Sequence, residues 1–150
     1  MYPKLYTAKE DNFKHNGLGI LKDCIECIVE EEHNGLFELQ MKYKIGGFLH
    51  NQLKEGNIIM ADASDRLRGQ LFRIHRTVKK QDSILEVYAN HVFFDLKNYV
   101  VNDVSFKNMS CENALNNMFR ACGASNKFVG YSNIIHTGNY NMKLATAIEA

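Results

Sequence analysis

Two segments that alternate apolar and polar residues lie on either side of an Asn-Gly dipeptide. Residues 36–43 alternate with a period of two, which is typical of a half-buried β-strand. Their apolar positions are Phe37, Leu39, Met41 and Tyr43. The preceding segment, 24–31, also has one apolar face, made of Ile25, Cys27 and Val29. Asn34-Gly35 supplies the two positive-φ residues of a type I′ turn, so the sequence predicts a β-hairpin.

Further short strands follow at similar spacing. The apolar run 58–61 predicts a buried strand, and the polar stretch 62–69 predicts a loop. Two more alternating runs flank a turn at 81–83 and predict a second hairpin. Their inward positions are Phe72, Ile74 and Val78 in the first run and Leu85, Val87 and Ala89 in the second. Half a dozen strands at this spacing indicate a small antiparallel β-barrel or sandwich, which we place at residues 1–103.

The pattern changes after about residue 93, and a helix and the start of a second domain are expected in residues 104–150. Ser110 is a good helix N-cap and Gly123 fits the position after the C-cap. Between them runs an apolar stripe at helical spacing, made of Ala114, Leu115, Met118, Phe119 and Cys122. Residues 127–142 read as two weak strands around Thr137-Gly138-Asn139. We therefore predict a mainly β (α+β) chain, with a barrel at 1–103 and an incomplete α+β domain at 104–150.

The last residues, 143–150, begin a helix-like pattern with Leu144, Ala147 and Ile148, and no cap follows. This pattern predicts either a piece of a longer protein or a frayed end.

Composition excludes several classes of protein. The formal net charge of the 150 residues is +1, which gives no electrostatic reason to expect a nucleic-acid partner. The start lacks a signal-peptide pattern, and nowhere do about 18 apolar residues follow one another. We expect a soluble protein made in the cytoplasm, without a membrane segment, whose four cysteines are reduced thiols.

Cys24 and Cys27 have the spacing of a zinc knuckle or a redox pair. A zinc site needs four ligands, and the only other cysteines are Cys111 and Cys122. On a regular strand, residues three apart point to opposite faces. The favoured interpretation is therefore that Cys27 is an ordinary buried side chain, with no metal bound.

Cys111 is a sharper candidate for catalysis. As the first helical residue after Ser110 it would meet free N–H groups that favour a thiolate, and His136 follows on a strand-like segment. The neighbouring Glu112 opposes a thiolate, and a capped structural helix is the favoured interpretation. His91 and Asp95, four apart, form another candidate pair for acid–base or metal chemistry, but a third partner is missing. A strand end that turns into a short helix explains them better.

Two remaining motifs have simple structural explanations. Glu30-Glu31-Glu32 predicts a solvated strand edge before a turn, where charge also hinders edge pairing. Gly17-Leu18-Gly19 lacks the third glycine and the following helix of a dinucleotide fingerprint. We therefore expect no catalytic, cofactor-binding or metal-binding residues, no cofactor and no enzymatic activity.

Five motifs in order carry a resemblance to a known family. They are Asn16–Leu21, the acidic turn Glu31–Gly35 with Glu38, Leu39 and Tyr43, Leu53–Ile59, Gln70–Ile74 and Val87–Leu96. Each describes only a strand or a turn, but together and at this spacing the region 16–120 resembles the N-terminal region of prophage tail-associated proteins of Gram-positive hosts. These proteins are often described as minor structural or tail-endopeptidase proteins. After about residue 125 the motifs no longer match.

The resemblance implies a structural role. In this family the N-terminal region resembles the central hub of contractile phage tails, with β-barrel domains in a homotrimeric ring at the virion tail tip. The implied partners are further copies of the chain, the distal tail protein, and tape-measure or tail-tube components. Any peptidoglycan hydrolase of the family would lie C-terminal to this region. The alternatives are a fragment of a Cys/His peptidoglycan endopeptidase and a carbohydrate- or nucleic-acid-binding barrel.

Overall fold

The computed structural model describes residues 2–33, 35–142 and 145–147. The chain divides into two compact units, Met1–Val92 and Phe93–Ala150. The sequence pattern predicts the division later, between residues 103 and 104. The segment between the two positions contains a 3₁₀ helix, Val92–Asn98, and a short strand, so regular structure continues past the last strand of the first unit.

The first unit is built on one antiparallel sheet of seven strands. The strands are β1 (Lys4–Tyr6), β2 (Gly19–Ile20), β3 (Cys24–Glu31), β4 (Phe37–Lys44), β5 (Ile58–Ala61), β6 (Gln70–Lys79) and β7 (Ile84–His91). Their order in the sheet is β2-β1-β5-β6-β7-β4-β3. The sheet is curled into a half-barrel, so the mainly β prediction is confirmed, with β2 and β3 at the two edges.

The concave side of this sheet encloses the core. Alternate residues of the central strands are buried there, as the period-two pattern predicts. The largest fully buried side chains of this unit are Leu5, Tyr6, Leu21, Leu39, Met41, Tyr43, Ile59, Phe72, Ile74 and Val87. Two short 3₁₀ helices, His50–Gln52 and Gln81–Ser83, lie in the connections.

Both predicted hairpins are present. β3 pairs with β4 from Cys24 opposite Tyr43 to Glu31 opposite Phe37. The predicted type I′ turn involves Asn34, which lies outside the described residues. β6 pairs with β7 over the second predicted hairpin.

One predicted inward position, Val78, is wrong because β6 contains a bulge. The register shifts between Ile74 and Arg76, so Thr77 rather than Val78 lies opposite the buried Val87. An extra residue in one strand exchanges the two faces for every residue beyond it. Phe72 and Ile74, which precede the bulge, are buried as predicted.

The second unit combines one α-helix with short strands. They are β8 (Val100–Val101), β9 (Val104–Ser110), α1 (Cys111–Ala121), β10 (Thr137–Met142) and β11 (Ala145–Thr146). β9 pairs with β10, and β8 with β11. The core of this unit contains Leu96, Val101, Met118, Phe119, Ala124 and Ala147. No helix in the described part of the chain is long and apolar enough to cross a membrane.

The helix has both predicted caps. The Ser110 hydroxyl accepts a hydrogen bond from Asn113 N at 3.3 Å. At the other end Gly123 has φ +77°, and its N–H donates to the Arg120 carbonyl while Ala124 N donates to the Phe119 carbonyl. These two bonds form a Schellman motif, which satisfies carbonyls at the end of the helix.

Two predictions for the C-terminal segment are wrong. The turn expected at Thr137-Gly138-Asn139 lies inside β10, where the register shifts between Gly138 and Tyr140. At this irregularity the Asn139 side-chain oxygen accepts a hydrogen bond from Asn108 N at 2.9 Å. The helix expected near the end is replaced at 145–146 by β11. Residues 143–144 and 148–150 lie outside the described residues.

Candidate assembly surfaces

The edge strand β3 is the longest exposed strand edge in the first unit. It pairs only with β4 in the described part of the chain, so one side of its backbone is open to another strand. Ile28 on its outer face and Ile25 in a bulge are 52% and 59% exposed. Glu30 and Glu31 at its end are exposed, as expected for a solvated strand edge. The edge therefore offers backbone groups and apolar side chains within an acidic surround.

A bulge in β3 overturns the argument that Cys24 and Cys27 point to opposite faces. The register runs from Cys24 opposite Tyr43 to Glu26 opposite Lys42, so Ile25 is an extra residue. Because the extra residue restores the phase, both cysteines pack against the same core cluster. Spacing along the chain indicated the wrong geometry here because the bulge depends on strand pairing.

The outer face of the sheet carries a row of charged and aromatic side chains. Lys42 Nζ lies 2.6 Å from Glu26 Oε2. Glu86 accepts a hydrogen bond from the Tyr88 hydroxyl at 2.9 Å and lies 3.3 Å from Lys80 Nζ. The hydrogen bond from Tyr88, followed by Lys80, lowers the pKa of Glu86.

The row ends in a cation–π contact. The guanidinium of Arg76 lies 4.2 Å from the centroid of the Tyr88 ring. All of these groups already have partners within the sheet, so this polar face satisfies its own hydrogen bonds and ion pairs.

A tight turn after β4 presents an exposed aromatic side chain. The Asp23 carboxylate accepts hydrogen bonds from Phe48 N at 2.9 Å and from the Tyr43 hydroxyl at 3.3 Å. The Tyr43 hydroxyl in turn accepts a hydrogen bond from Leu49 N. The backbone is therefore fixed while the Phe48 ring is 88% exposed. A shallow groove beside it is lined by Asn16, Gly19, Ile20, Lys22 and Asp23.

The second unit exposes an apolar segment between α1 and β10, which we call the 129–135 segment. Val129, Tyr131 and Ile135 are each more than four-fifths exposed, and Ile134 is 55% exposed. The segment is fixed at Gly130, whose backbone forms two hydrogen bonds with the side chain of Asn116. An exposed apolar stretch held in place by specific bonds is typical of an interaction surface.

Cys111 and His136 come near each other in the pairing of β9 with β10. Cys111 begins α1 directly after β9, and His136 directly precedes β10. Ser110 lies opposite Thr137 in the register, so the two candidate residues follow and precede paired positions. The His136 side chain is exposed and Cys111 is half-buried. The arrangement brings the two backbones together at the junction of β9 with α1.

His91 lies at the end of β7 and Asp95 in the following 3₁₀ helix, as the structural interpretation predicts. The His91 ring stacks on Phe37, with centroids 4.4 Å apart, and contacts the edge of Phe72. Its Nε2 lies 3.2 Å from Gln70 Oε1. These contacts give His91 a packing role at the end of the sheet.

Within residues 2–33, 35–142 and 145–147, no group of three or more His, Cys, Asp and Glu side chains is arranged to hold a metal ion. Gly17, from the two-glycine loop, has φ +57° and leads into β2 rather than into a helix.

Two of these surfaces, Phe48 and the 129–135 segment, were not predicted from the sequence. The signals were present as Phe48 after Gly46-Gly47 and as the adjacent Ile134-Ile135 pair. Neither pattern distinguishes an exposed apolar side chain from a buried one, because exposure depends on which residues pack nearby.

Comparison with known proteins gives a similarity of fold. No protein-family model matches the chain, and no curated protein matches it. The fold is similar to that of a solved structure, the prophage tail protein gp18 from Listeria monocytogenes EGD-e, with a TM-score of 0.66 and 14% sequence identity. The similarity covers 99% of this chain and 44% of that protein, so the chain spans less than half of its relative's length.

Proposed function

We propose that this chain is a structural component of a phage or prophage tail. The observation that carries the proposal is the fold similarity to a prophage tail protein along 99% of the chain. The motifs in residues 16–120 that resemble prophage tail-associated proteins support it from the sequence side. The similarity covers both compact units. It therefore includes the order of the two units along the chain as well as the seven-stranded sheet of the first unit.

The finer proposal is an assembly module of the tail-tip hub or baseplate. In it, copies of the chain form a ring below the tail tube, in contact with the distal tail protein and with tape-measure or tail-tube components. The hub supports host attachment or cell-wall penetration. We further propose that the chain has no active site of its own, and that its interaction surfaces carry its function.

The edge strand β3 supports head-to-tail contacts between copies. Two β3 strands that paired with each other would bring Glu30 and Glu31 of both copies together, and like charges on neighbouring strands are destabilising. A ring instead uses heterologous interfaces, in which β3 meets a different surface of the next copy. This favours a closed ring over a two-fold dimer through β3.

The 129–135 segment carries no acidic side chain, which suits it to the acidic β3 edge. It is apolar and exposed, and between residues 127 and 136 the only ionisable side chains are Lys127, Tyr131 and His136. With no acidic residue, it can approach the acidic β3 edge without like-charge repulsion. We propose that β3 of one copy docks against the 129–135 segment of its neighbour, with Ile28 at the centre of the contact.

Immunogold electron microscopy of induced phage particles tests the tail role. Antibody raised against this chain should place gold on the tail, and the hub proposal requires it at the distal end. Antibody pre-absorbed with the purified chain serves as the control. Gold along the whole tail would refute the hub position but keep the tail role, whereas intact tails without label would refute both.

A matched pair of substitutions tests the docking surface. Ile28→Glu places a charge at the proposed contact and should strongly lower the yield of infectious particles. Val100→Glu introduces the same charge at a side chain that is also about half exposed, at 54%, and should leave the yield near wild type. Both proteins should keep the wild-type melting temperature. Equal yields from the two variants would contradict the proposed contact.

A further inference from the structure

The bulge in β3 brings the Cys24 and Cys27 thiols to the same face of the sheet, which a regular strand would not do. Cys24 and Cys27 lie opposite Tyr43 and Met41, which are two apart on the facing strand. The two cysteines are therefore next-but-one neighbours in register on the same face of the sheet. Both are free and only partly buried.

The two thiols differ in acidity because they interact. A hydrogen bond with the Cys27 thiol lowers the pKa of Cys24. The same interaction, followed by burial, raises the pKa of Cys27. The Cys24 sulfur is thus the better nucleophile and Cys27 the proton donor beside it, which is the division of roles expected in a reactive dithiol.

We propose that Cys24 and Cys27 form a redox-active dithiol that closes reversibly to an intramolecular disulfide across the bulge. The oxidant is a small-molecule disulfide of the glutathione class. The proposal is independent of the tail role, since it rests only on the geometry of β3. Closing the disulfide joins the two residues that flank Ile25 and Glu26, so it covalently fixes the bulge of the edge strand.

The chemistry is a two-step thiol–disulfide exchange. The Cys24 thiolate attacks one sulfur of the small disulfide, forms a mixed disulfide and releases one small thiolate. Cys27 then loses its proton to solvent and attacks the Cys24 sulfur. The Cys24–Cys27 bond forms, and the second small thiolate leaves. The protein loses two electrons and two protons, and the small disulfide is reduced to two thiols.

The second step is favoured by the loss of the first thiolate. The interaction with Cys24 is the leading cause of the raised pKa of Cys27. Once Cys24 is bound in the mixed disulfide, its thiolate charge and its acceptor role are gone. Cys27 then ionises more readily beside the sulfur that it must attack.

Mass spectrometry of the whole chain after incubation with oxidised glutathione tests the proposal. The chain should lose two of its four titratable thiols and the mass of two hydrogen atoms, and digestion should give a peptide linked between residues 24 and 27. Reduction with dithiothreitol should restore all four thiols. Stable glutathione adducts on both Cys24 and Cys27, without the internal link, would overturn the proposal, as would thiols that stay unreacted.

Single variants give the matched controls. Cys27→Ser should stop the reaction after the first step and leave one glutathione bound at Cys24. A double variant, Cys111→Ser with Cys122→Ser, should still form the 24–27 link, and its absence there would assign the oxidation to the other pair. Circular dichroism should show that each variant is folded.

Phenylarsine oxide provides a test that needs no variant. Trivalent arsenicals bridge two adjacent thiols and resist displacement by excess monothiol. The wild-type chain should retain one equivalent, mapped to residues 24–27. No retention after washing with a monothiol would show that the two sulfurs do not approach closely, and would reject the dithiol.

Discussion

The side chain of Asn116 in α1 forms a pair of hydrogen bonds with the backbone of Gly130. Gly130 N donates to Asn116 Oδ1 at 2.9 Å, and Asn116 Nδ2 donates to the Gly130 carbonyl at 3.0 Å. The amide thus occupies the backbone groups of a buried residue that has no strand partner in the described part of the chain. Through this contact the helix positions the exposed 129–135 segment.

Replacement of Asn116 by Ala should therefore destabilise the second unit. The two hydrogen bonds to the buried Gly130 backbone are lost together with one to the Glu112 carbonyl, at a cost of about 1–3 kcal/mol in the free energy of unfolding. Urea denaturation followed by circular dichroism measures the change. Asn113→Ala, at an exposed position of the same helix whose backbone rather than side chain makes the cap bond, is the control and should cost clearly less. Equal losses would show that the Gly130 contact adds nothing.

The sequence predicted the parts of the fold that depend on neighbouring residues. The caps of α1 are local, since Ser110 and Gly123 act within a few residues of the helix ends. The hairpins are also local, because alternation and a short turn determine which strands pair. The fold class followed from these elements.

Features that depend on distant pairing were missed. The bulges at Ile25 and before Arg76 arise from the register with β4 and β7, and they reversed the predicted orientation of Cys24 and Val78. The 129–135 segment is fixed by a side chain from a helix that precedes it, which no local pattern indicates. The candidate surfaces were therefore harder to predict than the fold.

Gly17→Ala should destabilise the first unit by about 1–3 kcal/mol. Gly17 has φ +57°, and an added Cβ would clash with the Leu5 carbonyl oxygen. Gly46→Ala separates backbone strain from the steric clash, because Gly46 has φ +85° but no heavy atom within 4 Å of the added Cβ. Thermal unfolding should show the larger loss for Gly17→Ala. Equal losses would mean that backbone strain alone accounts for both.

The purified chain should release no soluble fragments from bacterial cell wall. Cys111 and His136 flank paired positions of β9 and β10, so they are the pair to test. Cys111→Ala and His136→Ala should give the same baseline as the wild-type chain in a turbidity assay. Turnover by the wild type that either substitution abolishes would contradict the structural role and establish an active site.

Glu86 should make stability depend on pH in the acid range. Its hydrogen bond with Tyr88 and its ion pair with Lys80 lower its pKa in the folded state. A lowered folded-state pKa means that the charged form stabilises the fold, so this contribution is present above the ordinary glutamate pKa and lost as the pH falls through the folded-state value. Glu86→Gln should therefore melt below the wild type at neutral pH.

The gap between the two melting temperatures should close as the pH falls through the lowered pKa of Glu86, because below that pKa both proteins lack the charge. Glu55→Gln removes an exposed carboxylate from the turn before β5 and serves as the control, with a smaller effect at neutral pH. Differential scanning calorimetry from neutral to acid pH measures all three proteins. A gap that stays constant or widens on acidification would show that the Glu86 charge does not stabilise the sheet.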